Sequence, residues 1–300
     1  MRGTEMKNMW VIRIESLCLG LILCLFLVPI AGAKSAVWIS ELVFPPPQQV
    51  SSPASLSLDL QRQRYYVVDS QAGRLVSFDK DGKKLGEFDA AGELVRPTAM
   101  TFARPGKMWV VERSDSSLLY IDMKTQKIRK FFLKGPTGGQ LFPGRIATDK
   151  NHRLYVGDRL SGRVYALDDN LKIAVVFAPR SGGQFVDFKI RDNRLWALEQ
   201  RQQIVYSFKL DGSQEKQISL QHKLDTPVSL EVGEQQQLYI LDRAVGRVFH
   251  FTSHGKFIDV FGQGGYRRGQ LRYPAQLVMD WQQRLCIVNQ GNDRIEVFSH

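Results

Sequence analysis

The stretch CIVNQGNDRIEVF, residues 286–298, predicts two β-strands joined by a polar turn, because apolar and β-branched residues dominate both of its ends. The same pattern occurs five more times without gaps, as YVVDSQAGRLVSF, WVVERSDSSLLYI, YVGDRLSGRVYAL, WALEQRQQIVYSF and YILDRAVGRVFHF. The six copies begin at Tyr66, Trp109, Tyr155, Trp196, Tyr239 and Cys286, at intervals of 41 to 47 residues. A unit that recurs at this interval indicates a repeat architecture.

Two positions keep their chemical character in every copy. Three residues after the start of each copy stands an acid or an amide: Asp69, Glu112, Asp158, Glu199, Asp242 and Asn289. Nine residues further on stands a large apolar residue: Phe78, Ile121, Leu167, Phe208, Phe251 and Phe298. Agreement at two fixed offsets in six copies is not chance, so the repeat is real.

Each repeat predicts a meander of four strands, labelled a to d in chain order. An alternating apolar run precedes the strand pair and is opened by proline in five copies, and a weaker run such as KIRKFF or KFIDVF follows it. Units of about 45 residues that contain only strands are typical of propellers. The sequence therefore predicts an all-β fold, a six-bladed β-propeller of four-stranded antiparallel blades over residues 34–300.

The last repeat lacks a fourth strand, because only two residues follow Phe298. The stretch AVWISELVF, residues 36–44, alternates like a strand and precedes the first repeat without a partner there. We expect this stretch to complete the last blade and to close the ring, since closure removes an unpaired sheet edge.

The first 33 residues predict a cleaved secretory signal. Lys7 and Arg13 precede an apolar run at residues 17–30, which is shorter than a membrane-spanning helix. The run is followed by Ala-Gly-Ala at residues 31–33, a small-residue pattern that predicts cleavage after Ala33. Cleavage removes two of the three cysteines and leaves Cys286, which we expect to be a buried apolar filler. The remaining chain has 38 basic and 28 acidic residues. We expect a periplasmic or secreted protein without a transmembrane anchor.

The last two units carry the features of a known repeat family. They contain a proline, an apolar strand, LYILD, GRVFHF and the loop FGQGGYRRGQLRYP in that order. This order resembles the NHL repeat family of six-bladed propellers, and the resemblance extends over residues 36–300. Glu112 and Glu199 depart from the usual Asp, and the fourth repeat lacks its opening proline. The resemblance implies the fold and leaves the function open, because propellers serve as enzymes, sensors and scaffolds.

Enzymes resembling this chain, such as amidating lyases and gluconolactonase-like hydrolases, bind a metal in the central channel. We therefore searched strand a of each blade for ligands. None of the five histidines falls on a predicted strand a, and the acids Asp187 and Glu231 are too few for a metal cage. We expect no metal and no cofactor. Arg145 and Asp187 fall in adjacent blades, and we expect an ion pair that either fixes the blades or binds a ligand.

One face of the propeller is expected to be basic. The b–c turns and the d–a loops emerge on the same face and contain most of the arginines. In the turns DSQAGR, DRLSGR, DRAVGR and NQGNDR we expect the first Asp or Asn to accept backbone N–H groups of the turn. The arginine at the end of each turn is expected to pair with an acid of its own or the next blade. The loop YRRGQLRYP has no counterpart in the other repeats. Its candidate binding residues are Tyr266, Arg267, Arg268, Arg272 and Tyr273.

These features favour a binding protein over an enzyme. The hypothesis is an exported scaffold, monomeric or part of a larger complex, that contacts an acidic protein or a polyanionic polymer of the cell envelope through its basic face. A lyase or hydrolase with a site in the channel is the first alternative. Nucleic-acid binding, known for some NHL propellers, is the second alternative, and we do not expect it in an exported protein.

Overall fold

The computed structural model describes residues 36–42, 52–180 and 182–299. These residues form β-strands, connected by turns and by three short 3₁₀ segments, Ala90–Gly92, Glu234–Gln236 and Gln290–Asn292. No helix among them is long and apolar enough to cross a membrane. The predicted signal, residues 1–33, lies outside the described residues.

The strands form six four-stranded antiparallel sheets, as the repeats predict. The first three blades contain, from strand a to strand d, Pro53–Asp59, Arg64–Asp69, Arg74–Phe78 and Lys84–Phe88; Pro97–Arg104, Lys107–Glu112, Ser117–Asp122 and Lys127–Phe131; and Pro143–Thr148, Leu154–Asp158, Val164–Leu167 and Ile173–Phe177. The next two contain Phe185–Arg191, Arg194–Glu199, Ile204–Lys209 and Gln214–Ser219; and Pro227–Val232, Leu238–Asp242, Arg247–Phe251 and Phe257–Phe261. The sixth contains Pro274–Met279, Leu285–Asn289, Arg294–Ser299 and Val37–Leu42.

The blades form a closed ring around strand a. Strand a of each blade contacts strand a of the blade before it and of the blade after it, and strand a of blade 6 contacts strand a of blade 1. The core lies between neighbouring blades, in six apolar clusters. Cys286 is completely buried in one of these clusters, as predicted from its place in the repeat. The fold is therefore the predicted six-bladed β-propeller.

The N-terminal strand completes blade 6, which confirms the predicted closure. Val37–Leu42 pairs antiparallel with Arg294–Ser299, and residues 43 and 44 of the predicted strand lie outside the described part of the chain. Leu42 is buried against Ile295 and the core between blades 6 and 1. The indole N–H of Trp38 donates a 2.7 Å hydrogen bond to the buried Glu296 carboxylate.

A loop before blade 6 packs against this strand. Two short parallel strands, Gln263–Gly264 and Gln270–Leu271, close the loop that carries Tyr266 and the two following arginines. Gly269 has φ +74°, and a Cβ at this position would lie 3.0 Å from the Trp38 ring. The loop therefore needs glycine here, both for the backbone conformation and for the close approach.

The acids and the amide that occupy the same position in every repeat lie at the b–c turns. They are buried, and their side chains accept hydrogen bonds from backbone N–H groups. The Asp242 carboxylate accepts N–H groups of Ala244 and Val245 in its own turn, and of Asp225 and Thr226 in the preceding d–a loop. Glu112, Asp158 and Asn289 also join their turn to the loop before strand a, through equivalent bonds. The predicted acceptance of turn N–H groups is confirmed for Asp69, Asp158 and Asp242, whereas the Asn289 side chain accepts the N–H of Arg272 in the preceding loop. These bonds place b–c turns and d–a loops on one face.

Deletion of residues 36–42 is expected to cause aggregation or loss of cooperative unfolding, because it exposes the ladder edge of Arg294–Ser299 and opens the core at Leu42. Light scattering and thermal unfolding followed by circular dichroism measure this effect. A truncated protein that stays monomeric and melts like the parent contradicts the role of the strand in closure.

Asp242→Ala is expected to lower the free energy of unfolding by about 2 to 4 kcal/mol, because it leaves buried N–H groups without an acceptor. Urea unfolding measures the loss. Asp225→Ala is the control, since Asp225 is an exposed carboxylate in the same loop. Equal stabilities of the two variants would show that the buried carboxylate does not hold the loop.

Candidate functional site

The face formed by the b–c turns and d–a loops is called the arginine face. It contains Arg74, Arg96, Arg113, Arg159, Arg163, Arg180, Arg201, Arg243, Arg247, Arg267, Arg268, Arg272 and Arg294. Asp115 and Asp293 of the b–c turns reach the surface. The acids at the shared repeat offset, Asp69, Glu112, Asp158, Glu199 and Asp242, are at most 5% exposed and accept backbone N–H groups. Their charges therefore lie below the surface, while most of the guanidinium groups lie at it.

Only three of these arginines form ion pairs among the described residues. Arg74 pairs with Asp69 and Glu87, and Arg294 pairs with Glu41 and Glu296, whereas Arg268 pairs with Glu41 alone. The expectation that the arginine at the end of each turn pairs with a blade acid is thus right for Arg74 and Arg294. It is wrong for Arg163 and Arg247, which are exposed and have no described carboxylate within 4.0 Å.

A cavity of about 330 Å³ opens on the arginine face at the end of the channel. Arg96, Arg113, Arg145 and Arg159 line it, and together they define the axial arginine pocket. Burial lowers the pKa of Arg159, and the positive charge of Arg113 lowers it further, while Asp158 opposes the shift. Asp158 is buried and already accepts N–H groups from Phe142 and Ser161, so the pocket keeps an excess of positive charge.

The floor of this pocket is the ion pair predicted from the sequence. Arg145 Nε lies 3.6 Å from Asp187 Oδ1, and the same guanidinium donates to the carbonyl of Ala275 in blade 6. The other Asp187 oxygen accepts hydrogen bonds from the Ser229 hydroxyl and the Leu230 amide. Asp187 therefore joins blades 3, 4 and 5, and Arg145 extends the connection to blade 6.

A second cation fills the channel below this pair. Lys189 Nζ donates a 2.7 Å hydrogen bond to the carbonyl of Leu277 and lies 3.9 and 3.8 Å from Asp187 and Glu231. Arg191 also pairs with Glu231. The two channel acids are thus neutralised by cations of the protein. Within the described part of the chain, no three His, Cys, Asp or Glu side chains are grouped as for a metal ion.

The described histidines lie away from the channel. His250 is hydrogen-bonded to Asp259 and Gln237 on the sheet of blade 5, and His222 stacks on Phe257. His152 and His254 lie in turns. None is in position to act on a molecule in the axial arginine pocket.

Two exposed tyrosines and two arginines form a second part of the site, called the tyrosine–arginine stack. The Arg272 guanidinium lies 4.6 Å from the Tyr266 ring centre and 5.2 Å from that of Tyr273, and Arg243 lies 5.7 Å from Tyr273 on its other side. The tyrosines are 68% and 55% exposed. Tyr273 has φ +47°, a conformation that is unfavourable for a bulky aromatic residue.

The structure divides the predicted loop cluster. Tyr266, Arg272 and Tyr273 are brought together, and Arg267 is exposed without a described carboxylate in range. Arg268 instead pairs with Glu41 of the closing strand at 2.8 Å. The loop itself contains no acid, and closure of the ring brings Glu41 to it from the other end of the described chain. The Arg268 side chain stays 75% exposed in this pair, so its role in binding stays a prediction.

The stack and the pocket form one continuous surface. Arg243 donates to the Gln290 side chain at 3.2 Å, and Gln290 lines the axial arginine pocket. Burial lowers the pKa of Arg243, Tyr273 opposes the shift, and the charge of Arg145 lowers it further.

The sequence assigned four arginines of this surface to the basic face but not to the candidate site: Arg96, Arg113, Arg159 and Arg243. The signal available for them was their shared position after the turn acid or before strand a.

Solved structures with the same architecture include enzymes and a binding protein. Virginiamycin B lyase from Staphylococcus aureus aligns with TM-score 0.62 and 15% identity, covering 88% of this chain and 99% of that one. A gluconolactonase from Xanthomonas campestris aligns with TM-score 0.62 and 13% identity over 83% and 86%. An auxiliary nutrient binding protein from Bacteroides thetaiotaomicron aligns with TM-score 0.64 and 12% identity over 88% and 76%.

These similarities establish the propeller fold and no activity, because the identities are low. No protein-family model matches the chain, and no curated protein matches it in sequence. NHL membership is therefore not confirmed, and the chain remains a six-bladed β-propeller that resembles that family in its last two repeats.

Asp187→Ala is expected to lower the free energy of unfolding by about 3 to 5 kcal/mol, because it leaves the Arg145 guanidinium unpaired and removes an acceptor from Ser229 and Leu230. Arg145→Met in the same chain should recover part of this loss. Urea unfolding of both single variants and the double variant measures the coupling. A stable Asp187→Ala protein would show that the pair does not hold the blades and would favour a role in ligand binding.

Proposed function

We propose that the protein is an exported binding protein of the cell envelope that engages an acidic protein through its arginine face. The observation that carries the proposal is the set of arginines around the axial pocket and along the tyrosine–arginine stack that have no described carboxylate in range. Guanidinium groups bind carboxylates with two parallel hydrogen bonds, and excess positive potential attracts an acidic surface from a distance.

The pocket supports recognition of acidic side chains. Arg96, Arg113 and Arg159 are exposed around its mouth, and its volume of about 330 Å³ accommodates an acidic side chain or a short acidic segment. The half-buried Arg145 is already paired with Asp187, so the three outer arginines supply the free positive charge. The pocket is therefore suited to a carboxylate that enters along the propeller axis.

The stack supports a protein as the partner rather than a simple polymer. Tyrosine and arginine are the residues most often found at the centre of protein interfaces. Tyr266 and Tyr273 are both exposed, and both rings lie against the Arg272 guanidinium. A flexible polyanion needs charge alone, whereas a folded protein also uses such rigid aromatic surface.

The enzymatic alternative is a lyase or hydrolase with its site in the channel. It has support from the fold neighbours that are lyases and a gluconolactonase. The channel acids Asp187 and Glu231 are, however, bound to Lys189, Arg145 and Arg191, and a cationic metal has to displace these groups to reach them. This arrangement favours the binding function.

Binding of poly-L-glutamate tests the role of the arginine face. The purified protein should bind it with an affinity that falls as salt rises, and changing Arg96, Arg113 and Arg159 together to Ala should weaken binding about tenfold, since each exposed arginine contributes ~0–1 kcal/mol. Fluorescence anisotropy of the labelled polymer at several salt concentrations measures both effects.

The control changes Lys124, Lys150 and Lys256 to Ala. These exposed lysines lie in the a–b and c–d turns, so the control removes the same charge from the opposite face. Equal weakening by both triple variants would mean that net charge alone decides binding. Tighter binding to an RNA or DNA duplex than to poly-L-glutamate would favour the nucleic-acid alternative. Capture from an envelope extract, compared between the parent and the Arg variant, then identifies the partner.

A further inference from the structure

Blade 2 carries a Trp–Tyr–Arg row that the other blades lack, although blade 5 stacks His250 on Tyr239 at the first two of these positions. Trp109, Tyr120 and Arg129 lie opposite one another on strands b, c and d and face blade 3. The Trp109 and Tyr120 ring centres are 4.6 Å apart, and Arg129 lies 5.4 Å from the Tyr120 ring. In the other blades the position of Tyr120 holds Ser77, Ala166, Ser207, His250 and Val297.

The row is not covered by the next blade. The residues at the position of Trp109 in blades 3 to 6 are at most 1% exposed, whereas Trp109 and Tyr120 are only half-buried. They form one wall of a cleft of about 870 Å³ between blades 2 and 3, a volume typical of small-molecule sites. The buried Leu133, Leu154 and Leu167 form its apolar base.

Positive charge surrounds the opening of this cleft. Arg104, Arg129, Arg153 and Lys172 line it and have no described carboxylate within 4.0 Å, while Lys107 pairs with Asp122. Two acids, Asp168 and Asp169, also line the cleft. One carboxylate oxygen of Asp168 accepts the N–H groups of Asn170 and Lys172 in its own turn. An apolar, aromatic interior with a cationic opening matches a ligand that has an apolar body and an anionic end.

We propose that this cleft, the blade 2–3 cleft, is a binding site for a small amphipathic anion, an aromatic or aliphatic carboxylate, sulfonate or phosphate. The apolar body lies against Trp109 and Tyr120, where stacking and burial stabilise it. The anionic group lies beside Arg129, whose guanidinium is held over the Tyr120 ring. The cleft is lined by other residues than the arginine face site, so this binding is separate from the proposed contact with an acidic protein.

An anilinonaphthalene sulfonate dye tests the site, because its fluorescence rises on transfer from water to an apolar surface. The protein should bind one dye per chain, and the uncharged phenylnaphthylamine of the same ring system should bind about tenfold more weakly. Decanoate should displace the dye, and a neutral oligosaccharide should not. Displacement by the oligosaccharide but not by decanoate, or equal binding of both dyes, overturns the assignment to amphipathic anions.

Two variants locate the binding. Arg129→Glu should weaken dye binding about tenfold through loss of the cation, and Tyr120→Ser should weaken it similarly while keeping a residue that blades 1 and 4 have at this position. The matched control is Lys216→Glu, the same charge reversal at the equivalent position of blade 4, over the buried Trp196. Circular dichroism melting verifies that each variant is folded. Folded Arg129→Glu and Tyr120→Ser proteins that bind dye like the Lys216→Glu control overturn the proposal.

Discussion

Pairing of the two ends of the described chain is the constraint on which the remaining structure depends. Blade 6 has only three strands of its own, so its outer edge is paired only when Val37–Leu42 joins Arg294–Ser299. The same strand brings Glu41 between Arg268 and Arg294 and brings Trp38 against Gly269. Closure therefore also fixes the loop that presents Tyr266, and the shape of the proposed binding surface depends on the closure of the ring.

Burial of the turn acids explains how one repeated motif produces a charged surface. The carboxylates of Asp158 and Asp242 accept hydrogen bonds from backbone N–H groups, which a turn between two strands leaves without backbone partners. Of the arginines that follow them in sequence, Arg159 is exposed and Arg243 is half-buried, and neither has a described carboxylate within 4.0 Å. Stability of the turns and positive charge of the face thus come from the same short stretch, with the acid pointing inward and the arginine outward.

The channel is occupied by cations that connect opposite sides of the ring. Arg145 and Lys189 reach from blades 3 and 4 to backbone carbonyls of Ala275 and Leu277 in blade 6. The carboxylates of Asp187 and Glu231 lie 3.6 to 3.9 Å from these cationic groups and neutralise their positive charge. Because such a network leaves a buried charge unpaired if one member is lost, it favours a single arrangement of the blades. In the proposed function, ligand recognition therefore depends on the axial arginine pocket and on the rest of the arginine face.

The sequence alone determined the number of blades, the four-stranded meander within each, the closing strand and the neighbouring positions of Arg145 and Asp187. These features follow from spacing and alternation along the chain, which are local properties of a β-meander. Only the tertiary structure decided that Arg268 pairs with Glu41, that Lys189 spans the channel, and that Arg243 joins the tyrosine–arginine stack to the axial pocket. It also decided that Trp109 and Tyr120 border a cleft while the equivalent Trp196 is buried. Such contacts depend on the distance and tilt between blades and on side-chain volumes packed across them, which no spacing within a single repeat encodes.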